Sequence, residues 1–250
     1  MPSVLRAAGR LLRLAGYLVV GLWRARRLAG MPEDERAEAV RAWLAGAVTL
    51  LGVTLEVRGE VRVDALAGSG SLWLPNHISW LDIPLLGGLR PGTVFLAKSE
   101  IRHWPLIGRL ASLAGTEFIQ RGQGSEAAAA AVADGLAQRR RMVVFAEGTT
   151  SEGQTVRRFH ARLIGPAIEA GAPVVPVAIR YHDADGQRSH LPAFVGRESL
   201  WPSLWRVLSA RGLVARIDLL DPIDTREVTR RDEIARQAHH AVSATVAADR

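Results

Sequence analysis

From Glu56 onward, short apolar runs alternate with helical stretches, and this alternation restricts the fold more than any other feature of the chain. The runs with the pattern of strands are LEVRGEVRV, GSLWLPN, TVFLAKS, GTEFIQR, RMVVFAEG, APVVPVAIRY and ARIDLLDPID. Between them, GSEAAAAAVADGLAQRR and ARLIGPAIEAG have the pattern of helices, the second closed by Gly171. Strands that alternate with helices form a sheet with parallel neighbours. We therefore predict an α/β fold with a mixed, largely parallel sheet flanked by helices.

The chain divides into three predicted segments. Residues 1–56 form a pair of N-terminal membrane-docking helices, residues 57–228 an α/β domain, and residues 229–250 a C-terminal helix packed on that domain. A chain of 250 residues, 48% of them hydrophobic, is long enough for one large core. The absence of cysteine excludes disulfides, thiolate metal ligands and cysteine nucleophiles.

The net charge of +7 is carried almost wholly by arginine. Basic, arginine-rich chains favour phosphate-bearing partners such as anionic lipid or a phosphorylated cofactor. On an N-terminal helix, one stripe would contain Arg6, Arg10, Arg13, Tyr17, Arg24 and Arg27. The opposite side would contain Leu5, Leu12, Val19, Leu22 and Trp23.

This basic amphipathic helix is too short in its uncharged part to cross a bilayer. Its longest uncharged run extends from Leu14 to Trp23, whereas a spanning helix needs roughly 20 apolar residues. We expect the helix to lie in the headgroup plane with its arginines toward anionic lipid, and packing on the protein's own core is the alternative. Residues 42–55, which are apolar on all sides, predict a second helix that is buried or partly inserted.

The segment LPNHISWLDIPLL, residues 74–86, carries the chemistry that stands out. His77 and Asp82 fall where a strand ends and a helix begins, a usual place for binding and catalysis in α/β sheets. A histidine takes a proton from a hydroxyl near neutral pH when an acceptor holds its other ring nitrogen. The alternative is that Asn76 or Ser79 caps the helix while Asp82 lies on its exposed side. The spacing alone leaves both open.

Four segments in order resemble the motifs of the lysophospholipid acyltransferase family, which includes the 1-acylglycerol-3-phosphate acyltransferases. They are NHISWLD, FLAKSEIRHWPLIGRLASLAGTEFIQRG, VVFAEGTTSEG and APVVPVAI, and they cover about residues 57–182. The resemblance implies transfer of a fatty acyl group from a thioester to a lipid hydroxyl. It also implies that His77 is the general base and that Asp82 orients it.

The same resemblance suggests residues that bind the acceptor lipid. Arg121 matches the family arginine thought to hold a phosphate, and Lys98, the only lysine of the chain, matches a basic position between the first two motifs. The third motif matches at Glu147, Gly148 and Thr149, and by resemblance Glu147 positions the acceptor.

Two departures from the third motif bear on the acceptor. Ala146 replaces the usual proline, and Thr150 replaces an arginine that would contact phosphate. EGTTSEG is more similar to the branch that acylates lyso-ornithine lipid. The family resemblance as a whole implies 1-acylglycerol-3-phosphate as the acceptor, and these departures leave lyso-ornithine lipid or another lysolipid as the alternative.

The resemblance implies acyl-CoA or acyl carrier protein as the acyl donor and membrane lipids as partners. It implies no cofactor and no metal ion, and no nucleic-acid module is evident in the sequence. We expect a monotopic or peripheral enzyme on the cytoplasmic face of the cell membrane. A basic membrane-binding protein without catalytic activity is the remote alternative.

Overall fold

The computed structural model describes residues 2–28, 30–60, 66, 68–98, 102, 108, 111–112, 116–119 and 124–248. The α-helices are α1 (Pro2–Leu28), α2 (Glu33–Leu51), α3 (Asp82–Gly87), α4 (Gly124–Ala137), α5 (Gly165–Glu169), α6 (Leu200–Ser209) and α7 (Arg231–Ala247). The strands are β1 (Val53–Arg58), β2 (Ser71–Pro75), β3 (Thr93–Lys98), β4 (Glu117–Ile119), β5 (Arg141–Val143), β6 (Val174–His182) and β7 (Leu213–Leu219). A 3₁₀ turn, Ala161–Ile164, precedes α5.

Within the described ranges, seven strands form one sheet in the order β1-β7-β6-β2-β5-β3-β4. Neighbouring strands are parallel except β6 and β7, which run antiparallel. Each run that the sequence predicts as a strand overlaps one of them, although β1 and β7 begin two residues before the predicted runs and β6 ends one residue after. The predicted mixed, largely parallel sheet flanked by helices is therefore confirmed.

Alternation of side chains along the strands divides the core into two parts. Trp73 of β2 packs on one face of the sheet, whereas Leu72 and Leu74 pack on the other. The first face, which we call the α1 face, is covered by α1, α2, α3 and α6. The second, which we call the α7 face, is covered by α4, α5 and α7. The carboxyl ends of the parallel strands lie between these two layers.

The second helix ends earlier than the sequence predicts. Residues 42–55 were expected to be one apolar helix, but α2 ends at Leu51 and β1 begins at Val53. Gly52 causes the change, because its φ of 75° is left-handed and its backbone N–H donates to Thr49 O. The remaining apolar residues therefore belong to the sheet.

The arginine stripe of α1 partly faces the protein, which corrects the expectation that it faces lipid. Arg10 donates to the carbonyl oxygens of Leu208 and Ala210 at 3.0 and 2.8 Å, and Arg6 donates to Ser209 O. These acceptors lie at the C-terminal end of α6, where carbonyls lack helical partners and attract cations. Arg6 and Arg10 therefore bind α1 to α6 and do not face outward.

The apolar side of α1 is exposed as a result. Its exposed large hydrophobic side chains are Val4, Leu5, Leu12, Val19, Val20 and Trp23, with Leu5 and Leu12 about three-quarters accessible. None of the helices in the described ranges is both long and apolar enough to cross a membrane.

The sequence interpretation missed helix α6, which contains Pro202. Pro202 falls in the first turn, where a backbone N–H has no helical partner, so proline costs no hydrogen bond there. Two tryptophans of this helix, Trp201 and Trp205, lie with ring centroids 6.0 Å apart, and Trp201 is exposed.

Candidate active site

The segment after β2 is held in place by the longer strand β6. β6 extends five residues beyond its last pairing with β2, at Pro75–Val177. Asn76 is buried beside this extension, where its side chain donates to Ile179 O at 3.0 Å and accepts from Ile179 N at 2.7 Å. The amide of Asn76 therefore continues the ladder after β2 has ended and fixes the start of the loop that carries His77.

The carboxylate of Asp82 organises this loop. Its Oδ2 accepts from Ile78 N at 2.7 Å, from Ser79 N at 2.9 Å and from His77 Nδ1 at 2.8 Å. Its Oδ1 accepts from the hydroxyl of Tyr181 at 2.6 Å. Asp82 is fully buried, so the alternative in which it lies on an exposed helix face is wrong. A buried charge is tolerated because its lone pairs are filled by these donors.

The imidazole of His77 is oriented by two contacts. Because the carboxylate of Asp82 accepts, Nδ1 carries the hydrogen and Nε2 carries the lone pair. The ring stacks on Phe145, with centroids 3.8 Å apart and an interplanar angle of 18°. The side chain is 17% exposed, and in the part of the chain that the structure describes Nε2 has no hydrogen-bond partner. His77 therefore presents an oriented basic nitrogen to the outside.

Glu147 connects two loops through their backbones. Its Oε1 accepts from His77 N at 2.7 Å and its Oε2 accepts from Arg157 N at 2.9 Å. Burial raises the pKa of this carboxyl, and the N–H groups of Arg157 and His77 partly oppose that shift. Each oxygen of Glu147 thus accepts one backbone N–H, and its contact with the acceptor lipid stays a prediction.

The loop after Glu147 is hydrogen-bonded to the loop between β2 and α3, which carries His77 and which we call the histidine loop. Ser151 N donates to His77 O at 2.8 Å. The hydroxyl of Thr150 donates to Phe194 O, and Phe194 N donates to Ile78 O at 2.9 Å. Thr150, which replaces a family arginine, therefore joins two loops, and its short side chain leaves no guanidinium at this position.

Three other predicted site residues, Gly148, Thr149 and Lys98, lie within the described ranges. Gly148 follows Glu147 with a φ of 72°, which favours glycine, and Thr149 is exposed beside it. The backbone of Lys98 ends β3 and pairs with Ile119 of β4. Arg121 lies outside the described residues, so its predicted phosphate contact stays a prediction.

Tyr181 belongs to the site, although sequence reasoning missed it. Its pKa is raised well above the ordinary value, first by burial and then by the charge and hydrogen bond of Asp82. A tyrosine near the end of a fully buried strand needs a partner for its hydroxyl, and this was the available signal. The partner depends on how far β6 extends past β2, which the sequence does not show.

A general base with a buried acidic partner can activate a hydroxyl or a water molecule for attack on a carbonyl. The arrangement provides the oriented imidazole of His77, the anion of Asp82 that stabilises the imidazolium form, and an open side at Nε2.

Comparisons with known proteins identify the family in which this site occurs. The acyltransferase family model matches residues 54–180. A lyso-ornithine lipid O-acyltransferase from Pseudomonas aeruginosa is 41% identical over 95% of this chain and 92% of its own length. A 1-acyl-sn-glycerol-3-phosphate acyltransferase from Neisseria meningitidis is 34% identical over 96% of this chain and 93% of its own.

A solved structure shares the fold. The crystal structure of the 1-acyl-sn-glycerophosphate acyltransferase PlsC from Thermotoga maritima has a TM-score of 0.75 and covers 98% of this chain and 96% of that chain, at 20% identity. At that identity the likeness concerns the fold alone. The family match and the two relatives show that this chain belongs to the acyltransferase family, and it is an acyltransferase enzyme.

Replacing Tyr181 with phenylalanine tests whether its hydroxyl positions Asp82. We expect Tyr181→Phe to lower kcat about tenfold with little change in either KM, because Oδ1 of Asp82 loses its donor while the binding surfaces stay intact. The unfolding free energy should fall by about 1–3 kcal/mol, since a buried acceptor becomes unsatisfied. Steady-state kinetics and urea unfolding measure both.

Tyr17→Phe is the matched control, since it removes a hydroxyl that donates to Trp43 O between α1 and α2. Equal kcat in the two variants would contradict the role.

Replacing Glu147 with glutamine separates positioning of His77 from acceptor binding. Glutamine has only one side-chain oxygen, so it cannot accept from both His77 N and Arg157 N. We therefore expect Glu147→Gln to lower kcat about tenfold while the acceptor KM stays unchanged. An increase confined to the acceptor KM would instead mean that Glu147 contacts the lipid.

The same variant has an effect on pH-dependent stability. Because the folded-state pKa of Glu147 is raised, its charge lowers the free energy of unfolding above that pKa, and this penalty disappears as the pH falls toward the unfolded value near 4.5. Glu147→Gln should therefore weaken the pH dependence of unfolding in that window.

Proposed function

We propose that this acyltransferase moves a fatty acyl group from an acyl thioester to the free hydroxyl of a lysolipid. The observation that carries the proposal is the pair formed by His77 and the buried Asp82, which leaves Nε2 as an oriented base. The names of the relatives from Pseudomonas aeruginosa and Neisseria meningitidis agree with this reaction class.

In the proposed mechanism, His77 Nε2 takes the proton of the lipid hydroxyl as its oxygen attacks the thioester carbonyl. The new ester bond forms as the carbon–sulfur bond breaks, and the proton passes from Nε2 to the departing thiolate. Asp82 stabilises the transient imidazolium, and Glu147 holds the backbone of His77 so that the ring keeps its angle. The lipid hydroxyl is itself the nucleophile, so no acyl-enzyme intermediate is required.

Two acceptor lipids are candidates, and one site feature distinguishes them. The relative with 41% identity is named for lyso-ornithine lipid, and relatives at 34% are named for 1-acyl-sn-glycerol-3-phosphate. Thr150 stands where the family has a phosphate-contacting arginine, and its hydroxyl is occupied by Phe194 O. This supports an acceptor without a headgroup phosphate, so lyso-ornithine lipid becomes the first acceptor to test and 1-acylglycerol-3-phosphate the second.

The proposed location is the cytoplasmic face of the cell membrane, with the α1 face toward the lipid. The apolar side of α1 is exposed although burial of such side chains is favourable. Arg13, Arg24 and Arg27 are also exposed and would attract anionic headgroups. Trp201 of α6 lies on the same side of the sheet and has the amphipathic ring that suits a membrane interface. The acceptor would thus reach the site directly from the leaflet.

An acyl-transfer assay with a labelled acyl thioester tests the reaction and the acceptor. We expect transfer to lyso-ornithine lipid, lowered about 100-fold or more in His77→Ala, because general-base catalysis contributes that much. His240→Ala, which removes an exposed histidine on α7, is the control and should keep activity. Transfer to 1-acylglycerol-3-phosphate alone would reverse the acceptor preference. Absence of histidine-dependent transfer to either lipid would refute the proposed function.

Vesicle flotation tests membrane docking by α1. We expect Leu5→Gln and Leu12→Gln each to weaken binding to anionic phospholipid vesicles about tenfold, since each removes the insertion of one leucine side chain. Ala137→Gln, at an exposed position of α4 on the α7 face, should not change binding. Unchanged binding of both leucine variants would show that another surface contacts the lipid.

A further inference from the structure

A polar pocket of about 490 Å³ lies on the α7 face, at the start of α7. One wall is the segment 158–161, which lies after Glu147 in the chain, and the other is Arg230 with the first part of α7, as far as His239. Its volume is within the range of small-molecule sites, roughly 300–1,000 Å³. His77 and Asp82 are not among its lining residues, and the mechanism proposed above does not use the pocket.

The pocket combines cationic, anionic and planar side chains. Its cationic members are Arg158, Arg230 and Arg236, and its carboxylates are Asp232 and Glu233. Glu233 is occupied by hydrogen bonds from Arg236 and Gln237. Among the described residues, Arg158 and Asp232 form no ion pair.

Two imidazoles add flat surfaces. His239 is fixed by contacts with Val156 O at 3.2 Å and with the edge of Phe159, whose ring centroid is 5.6 Å away. His160 is exposed at the rim. Flat rings of this kind can stack on a heteroaromatic base, and guanidinium groups can bind phosphate bidentately.

Hydrogen bonds from backbone N–H groups connect the pocket wall to Ala146 and Glu147, which follow β5. Arg157, which precedes the pocket wall, donates from its N–H to Glu147, and His160 N donates to Ala146 O at 2.9 Å. The ring of His160 would lie 3.8 Å from a Cβ placed on Gly148. Gly148 is exposed and has no side chain that would block a narrow ligand at this point.

We propose that this pocket binds the phosphorylated adenosine end of a coenzyme A thioester, whose pantetheine arm passes over Gly148 toward His77. The inference rests on the proposed acyl-transfer function. Arg158 and Arg230 bind phosphate, Asp232 accepts from the exocyclic amine of adenine, and an imidazole stacks on the base. The donor then arrives on the α7 face while the lipid acceptor arrives on the α1 face.

An acyl carrier protein fits the pocket less well. Carrier proteins that bind basic enzymes do so through acidic helices, which need a convex or flat cationic surface. This site is concave, and its three arginines are interspersed with the carboxylates of Asp232 and Glu233, so it offers separate phosphate contacts and no continuous cationic surface for an acidic helix.

Calorimetric titration with adenosine 3′,5′-bisphosphate tests the proposal without requiring catalysis. We expect binding to the full-length protein and to His77→Ala alike. Kd should rise about tenfold or more in Arg158→Gln and in Arg230→Gln, because each removes a charge-assisted hydrogen bond to phosphate. Arg139→Gln is the matched control and should keep the wild-type Kd, because Arg139 is an exposed arginine of the turn before β5 and does not line the pocket.

Kinetics with acyl-CoA provide the second arm. The KM for acyl-CoA should rise by the same factor in Arg158→Gln and Arg230→Gln, with kcat and the acceptor KM unchanged. No binding of the bisphosphate to wild type, or equal Kd values in all variants, would overturn the pocket assignment even if acyl transfer is observed. Transfer from acyl carrier protein that depends on Arg158, with none from acyl-CoA, would overturn the choice of donor. Bisphosphate binding without acyl transfer would leave the pocket standing and refute the reaction.

Discussion

The buried carboxylate of Asp82 is the constraint on which the site depends. A charge with no access to water must be surrounded by donors, and here three come from the loop that precedes it and one from β6. The shape of the loop that brings these donors to Asp82 also sets the angle of His77. The length of β6 serves the same purpose, because only its extension beyond β2 brings Tyr181 to the carboxylate.

The edge of the sheet that carries His77 lies between two layers of helices with different surfaces. The α1 face exposes apolar side chains and arginines, whereas the α7 face carries a polar pocket. Glu147 connects the histidine loop to the segment that forms this pocket. The reaction proposed above joins a lipid to a water-soluble thioester and would need access from two phases, and a sheet covered differently on its two sides is suited to that need.

Local patterns in the sequence predicted the strands and the fold class, because each strand is a short apolar run followed by a turn. Order and spacing of the motifs also located His77, Asp82 and Glu147. Features that depend on tertiary register were not predictable: the pairing of Asn76 with β6, the partner of Tyr181, and both carboxylate contacts of Glu147. The periodicity of α1 revealed two unlike sides without indicating which one packs inward, since arginine binds helix carbonyls as readily as lipid phosphate.

Alternation along β2 has a consequence for how such a sequence can diverge. Trp73 belongs to one core and its neighbours Leu72 and Leu74 belong to the other. Substitutions at successive positions of β2 therefore change the packing of different cores. The helices of the α1 face and those of the α7 face can therefore accumulate changes independently during evolution, provided that strand length is kept. Insertion of a single residue into β2 would exchange the two environments for every position after it.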